Sequence, residues 1–439
     1  MKDTSMTYVP PDRPEGNSTE PEIDQTRQLD FTPAAPGTGL MVDPFAGQPA
    51  TTVGYVEQPR PAKDRVVFQF VWEAILLLLT ANALFLVYQR QDRIFGESAS
   101  LDVVDPQLTG LSALLLLATG FGLSLRFGAV NFALPAFTYL VIAVPTLFVG
   151  SNPLVGLGFT AAAAALLTVL FVILTAVLRV PAWLAGLASA FAVAAMQAPL
   201  VYLARELGFT DEPGTWSNPG GLWLFLGAVA VSVAGGLLGL IPAIRDRMTA
   251  VKAAVEGNGG RSGGSVFSLI GATFLSLLLA GAAGFLPVVF ASTAANSEWA
   301  VGGLFAFSTI ATLSVSPFVF IVVLLAGTSP WGRRGGVFGT TLAAVALWAL
   351  LQVWTSLSGP ASDPQFFANW TGVLYAGLLL LGIFVSFGLD RLGRPKEPAE
   401  PETTARTGEM VPFEPTGGGE YEGTGRFEPT LPDAASSQR

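Results

Sequence analysis

The sequence predicts an all-α polytopic membrane protein with about ten transmembrane helices, both termini cytoplasmic, and a disordered tail at each end. Three observations lead there. Hydrophobic residues are 51% of the 439 positions and charged residues 13%, well to the apolar side of soluble proteins. Uncharged runs such as residues 127–178 far exceed the roughly 20 residues that cross a bilayer. Cations also fall on alternate connections, the pattern of a positive-inside topology.

Residues 1–62 are rich in Pro, Thr, Gly and acids, without an apolar period, and are expected to be disordered. The net charge of −9 belongs to the tails: residues 1–62 hold 9 acids and 4 bases, and residues 397–439 hold 9 acids and 3 bases. The body, 63–396, is therefore +2 (16 bases minus 14 acids). The first apolar run begins near Val66, so no secretory signal is expected.

Span 1 is expected at about 67–88, preceded by Arg60, Lys63 and Arg65. Its one charge, Glu73, reads either as an ion or substrate carboxylate or as a side chain snorkelling to the interface or pairing with a base. Residues 89–106 read as a polar outer loop, and span 2 as about 107–125. The stretch 127–178 must hold two spans, broken at Gly150-Ser151-Asn152-Pro153. Pro181 suits the first turn of span 5, with Trp183 an interfacial belt residue or part of the path.

Span 6 is expected at about 220–243, followed by a polar cytoplasmic segment from Arg245 to Gly264. Spans 7 to 10 follow at about 265–290, 300–325, 336–357 and 369–389. The inner edges then carry Arg60, Lys63, Arg65, Arg126, Arg179, Arg245, Arg247, Lys252, Arg261, Arg333, Arg334, Arg391, Arg394 and Lys396, against only Arg90, Arg93 and Arg205 outside. The tail 397–439 repeats Phe-Glu-Pro-Thr at 413–416 and 427–430. Such a repeat reads as a docking motif or as a compositional accident in a disordered segment.

The chain holds no His and no Cys. That excludes disulfides, thiolate or imidazole metal sites and His-based acid–base catalysis; no cofactor, metal or catalytic group is expected. A phosphate-cradling Gly-x-x-x-x-Gly-Lys-Ser/Thr loop is also missing. The nearly charge-free interior suits a neutral polar solute. Asn131, Ser189, Gln197, Ser308, Thr309 and Trp183 are the candidates for a translocation path, each also readable as an interhelical hydrogen-bonding or packing group.

Residues 324–344 break two apolar runs with small residues, a Pro330-Trp331 corner and the pair Arg333-Arg334. The order Gly327-Thr328-Ser329, corner, Gly332, a base, Gly335, then Val337-x-Gly339-Thr340 resembles the signature of ribose-type ABC transporter permeases. These belong to a group that also serves branched-chain amino acids and nucleosides. Weaker likenesses extend over most of residues 67–390. The segment 122–128 is similar to the family's Gly-Ile-Asp-Leu-Ser-x-Gly turn, with Ser124 in place of the acid and Arg126 in place of the serine. Leu178 to Ser189 looks like its Arg-Val-Pro-x-aromatic segment.

The resemblance implies the transmembrane subunit of an ATP-driven importer in the inner cell membrane of a prokaryote, working by alternating access on a neutral polar solute, above all a monosaccharide. It implies cytoplasmic ATPase subunits that carry the ATP hydrolysis, a second permease, an extracytoplasmic solute-binding protein and membrane lipid as partners, and no nucleic acid. It places the ATPase-coupling loop around residues 250–264, with Arg247, Lys252, Glu256, Gly257, Asn258 and Arg261 as its candidate residues. Four glycines in the six residues 259–264 oppose a helix there, each by about 1 kcal/mol relative to alanine. The alternatives are a nucleoside or branched-chain amino acid permease, a non-transporting membrane scaffold, the silent half of a heterodimer, or a secondary transporter.

Overall fold

The computed structural model describes residues 67–96, 100–143, 153–207, 219–256, 263–290, 317–330, 335–357 and 364–393, all within one compact unit, 61–439. Their regular structure is entirely helical. The order is α1 (Val67–Gln89), α2 (Gln91–Phe95), α3 (Leu101–Arg126), α4 (Ala133–Ala143), α5 (Pro153–Val172, continued by a π turn, Ile173–Val177) and α6 (Ala182–Glu206). Then come α7 (Gly221–Leu238), α8 (Pro242–Val255), α9 (Gly263–Phe290), α10 (Pro317–Leu325), α11 (Gly339–Leu357) and α12 (Pro364–Gly393).

Eight of these are long and apolar enough to cross a membrane: α1, α3, α5 with its π turn, α6, α7, α9, α11 and α12. Helices α4 and α10 coincide with the expected third and eighth spans but are shorter, and residues 144–152 and 291–316 lie outside the described residues. The tails, with the Phe-Glu-Pro-Thr repeat, lie outside them too. The expected outer loop 89–106 instead contains α2 and the first turns of α3.

Helix α3 is the hub. Of its 18-residue apolar stretch 83% is buried, against 22% for α1, α5 and α7 and 11% for α12. It packs on α7 and α9 along most of its length and also touches α10 and α11. The contact with α9 depends on Gly120, where a Cβ would stand 2.8 Å from the Ser276 carbonyl. Phe121 of α3 meets Phe320 of α10 edge-on, centroids 4.7 Å apart. Around this core the peripheral helices turn Leu77, Leu78, Leu166, Trp223 and Phe384 outward, as helices facing lipid do rather than helices facing water.

Of the polar segment expected from Arg245 to Gly264, the part up to Val255 belongs to helix α8, which begins at Pro242. Pro242 sits at its first position, where a missing N–H loses nothing. Met248, Val251 and Ala254 are buried, and their i, i+3, i+6 spacing forms one face. Val251, in the middle of that face, clusters with Phe171 at the end of α5, Ala182 and Ala185 at the start of α6 and Leu269 near the start of α9. Four charges in fourteen residues, Arg245, Asp246, Arg247 and Lys252, set α8 apart from the charge-poor spans and make composition alone read it as a loop.

Candidate functional site

The described residues of the signature segment, up to 330 and from 335, lie largely buried around the end of α10 and the start of α11, at the end of the bundle where Arg126 and α8 also lie. Helix α10 closes with Gly327 at φ +75°, the amide of Thr328 donating to Val323 O (3.2 Å) and that of Gly327 to Leu324 O (2.9 Å). This is the Schellman arrangement, in which glycine takes the left-handed position without penalty.

Two helices then satisfy the remaining carbonyls. From α1, Trp72 Nε1 donates to Leu325 O (2.7 Å) and Gln69 Nε2 to Ala326 O (3.2 Å). From α12, Ser386 Oγ donates to Thr328 O (2.7 Å), while Ser329 Oγ donates to Asp390 Oδ1 (3.1 Å).

A buried acid and a buried base hold the second half of the turn. Glu73 Oε1 accepts the amides of Phe338 (3.0 Å) and Gly339 (3.1 Å), two of the free donors at the positive end of α11. Arg126 Nη2 donates to Gly336 O (2.9 Å), and its Nη1 donates to Gly235 O near the end of α7 (3.1 Å). A Cβ on Gly335 would collide with the Arg126 guanidinium, and one on Gly336 with Glu73 Oε1. The side chains close over bare backbone, which is why the turn carries adjacent glycines.

Glu73 is 6% exposed, so it does not snorkel; its carboxylate caps a helix of the same chain, with Arg126 the basic neighbour. Arg126, in sequence only a departure from a family turn, is a structural tie among α3, α7 and the signature segment. Of the motif residues, Gly327, Thr328, Ser329, Gly335, Gly339 and Thr340 meet in this clasp; Gly332 lies outside the described residues.

The coupling-loop candidates divide differently. Arg247 is exposed on α8. Lys252 pairs with Glu256 at 3.6 Å, with side chains 20% and 47% exposed, a surface pair worth about 0–1 kcal/mol. The Lys252 stem also covers Gly128, where a Cβ would stand 2.8 Å from its Cγ. Gly257, Asn258 and Arg261 lie outside the described residues. Beside α8 the π turn closes with Leu178 N donating to Ile173 O (2.9 Å), and Arg179 takes φ +58°. Thr175, Val251, Ala254, Val255 and Leu269 line a small apolar pocket between them.

Of the expected path residues, Asn131, Trp183, Ser189 and Gln197 are described. Asn131 is buried and its Oδ1 accepts the Ala133 amide at the start of α4 (3.0 Å). Ser189 Oγ is turned back on Ala185 O (2.8 Å). Trp183 is 54% exposed on the bundle surface, and Gln197 is half-buried. Ser308 and Thr309 lie outside the described residues.

Sequence reasoning missed Gln69, Trp72, Ser386 and Asp390. Their signal was the i, i+4 pairs Gln69–Glu73 and Ser386–Asp390 in otherwise apolar helices. Among the described residues, no group of acids is placed to hold a metal ion. No family model, curated protein or solved structure matches the chain.

Proposed function

We propose that this chain is the membrane-spanning permease subunit of an ATP-driven importer for a neutral polar solute, a monosaccharide before a nucleoside or amino acid. The observation that carries the reading is α8. It is an amphipathic helix between two spans, anchored by Met248, Val251 and Ala254 and turning Asp246, Arg247 and Ala250 outward. A short helix fixed to several spans at once, with a polar outer face, suits the transfer of motion from a docked ATPase into the bundle. The signature-like turn at 326–340 and the charge-poor interior agree with the reading. So does the positive-inside charge pattern, which puts α8 and the clasp on the cytoplasmic side of a ten-span body.

In this mechanism the ATPase pushes on α8, which levers the ends of α5, α6 and α9 through their shared apolar cluster. The α10–α11 turn, tied to α1, α3, α7 and α12, moves as one block. The test is purification of the tagged chain in mild detergent at native expression, with partners identified by mass spectrometry. A stoichiometric ATPase is the expected partner. Its absence from folded, monodisperse chain would overturn the importer reading in favour of a non-transporting scaffold.

A further inference from the structure

Hydroxyls inside the bundle mostly follow one rule. Thr80, Ser112, Thr160 and Ser189 each donate to a carbonyl three or four residues back in their own helix, which leaves them no donor to offer a ligand. Helix α11 keeps the rule at Thr355 and Ser356 and leaves it nearer its start. Thr341 Oγ1 and Trp348 Nε1 are buried without a hydrogen-bond partner. Trp348 is 7% exposed, and Gln352, one turn further on, is 6% exposed.

Positions 341, 348 and 352 lie on one face of a helix and, at 1.5 Å per residue, span about 17 Å of its length. Helix α3, which packs on α11, adds a third orphan, Gln107 Oε1. The two helices run antiparallel, since Arg126 at the end of α3 bonds Gly336 at the start of α11. Gln107 lies near the opposite end of α3 from Arg126. Buried donors and acceptors without partners are rare and destabilising in folded chains, and three on one helix and its packing neighbour call for a ligand.

We propose that the Thr341–Trp348–Gln352 face of α11 is the wall of a solute path, and that it takes a neutral, hydroxyl-rich molecule of monosaccharide size. The groups offer a hydroxyl, an indole N–H and an amide with both donor and acceptor. None carries charge, so an ion gains nothing there, whereas a polyol matches each group in turn. The indole adds a flat apolar face for the C–H side of a sugar ring. The assignment rests on the permease reading and moves the path from the residues of α4 and α6 to α11.

The absence of cysteine makes the test direct. Single cysteines at Thr341, Val345 and Gln352, with Ala343 and Leu350 as opposite-face controls, are placed in the full-length chain in native membranes. They are treated with a charged methanethiosulfonate, alone and with D-ribose, D-glucose, uridine or leucine. Because the reagent reacts in water and not in packed or lipid-facing apolar surroundings, the first three should label at least about tenfold faster than the controls. At least one of the three neutral solutes should slow that labelling severalfold.

Equal rates on both faces, or no labelling in chain that remains monodisperse, would overturn the proposal. So would labelling that only leucine slows, or that nothing slows. The two readings fail separately. A protected, face-selective α11 without a co-purifying ATPase sinks the importer and leaves the path; an ATPase partner with a silent α11 sinks the path alone.

Discussion

Two connections at the same end of the bundle are built on opposite principles. The turn from α10 to α11 is polar and buried: side chains from α1, α3 and α12 bond its backbone, and Arg126 ties it to α7. The connection from α7 to α9 runs through α8, which is held by an apolar face and leaves its polar face in the open. The first is specified by hydrogen bonds that tolerate no displacement. The second is specified by non-directional burial that tolerates sliding. The segment that most resembles a family signature is thus the one held by hydrogen bonds, and α8 is the one that leaves polar residues exposed.

That contrast is breakable. Arg126→Met removes both guanidinium bonds and leaves Glu73 buried without its neighbouring cation, so it should cost about 3–5 kcal/mol, read as a large fall in Tm and in monodisperse yield. Gly336→Ala places a Cβ against Glu73 Oε1 and should destabilise by about 1–3 kcal/mol by the same measurement. Glu73→Gln keeps one acceptor oxygen for the α11 amides but loses the charge, for which about 1–2 kcal/mol is expected.

Asp105, whose Oδ1 accepts the amides of Gly221 (2.5 Å) and Leu222 (3.3 Å) at the start of α7, is a cap of the same kind at another helix end. Asp105→Ala should cost about 1 kcal/mol. On the outer face of α8, Arg247→Glu should change stability by less than about 0.5 kcal/mol while sharply reducing ATPase recovery. If Arg247→Glu unfolds the chain, or Arg126→Met is silent, the division between fixed block and docking face is wrong.

Much of the helical framework was legible because apolar run length and breakers act locally. The expected starts of spans 1 and 9, at about 67 and 336, lie close to Val67 and Gly339. The Pro153 and Pro181 breakers stand where α5 and α6 begin. Helix α8 was not legible, since its period of three apolar residues gains meaning only beside Phe171 and Leu269. The clasp was half legible: glycines announce a turn, but which distant side chains close over them is a tertiary fact. Least legible were the path residues. In sequence Ser189 and Thr341 look alike, and only the structure separates a hydroxyl bonded to its own helix from one left without a partner.

The most direct test of the account is photocrosslinking from α8 in living cells. A benzophenone amino acid at Ala250, on the exposed face, is compared with one at Arg247 and with one at Val251, which is fully buried. The account predicts an ATPase adduct from positions 250 and 247 and none from 251. Adducts absent from all three sites in folded, membrane-inserted chain would contradict it, and α8 would then be a structural brace rather than the point where an ATPase takes hold.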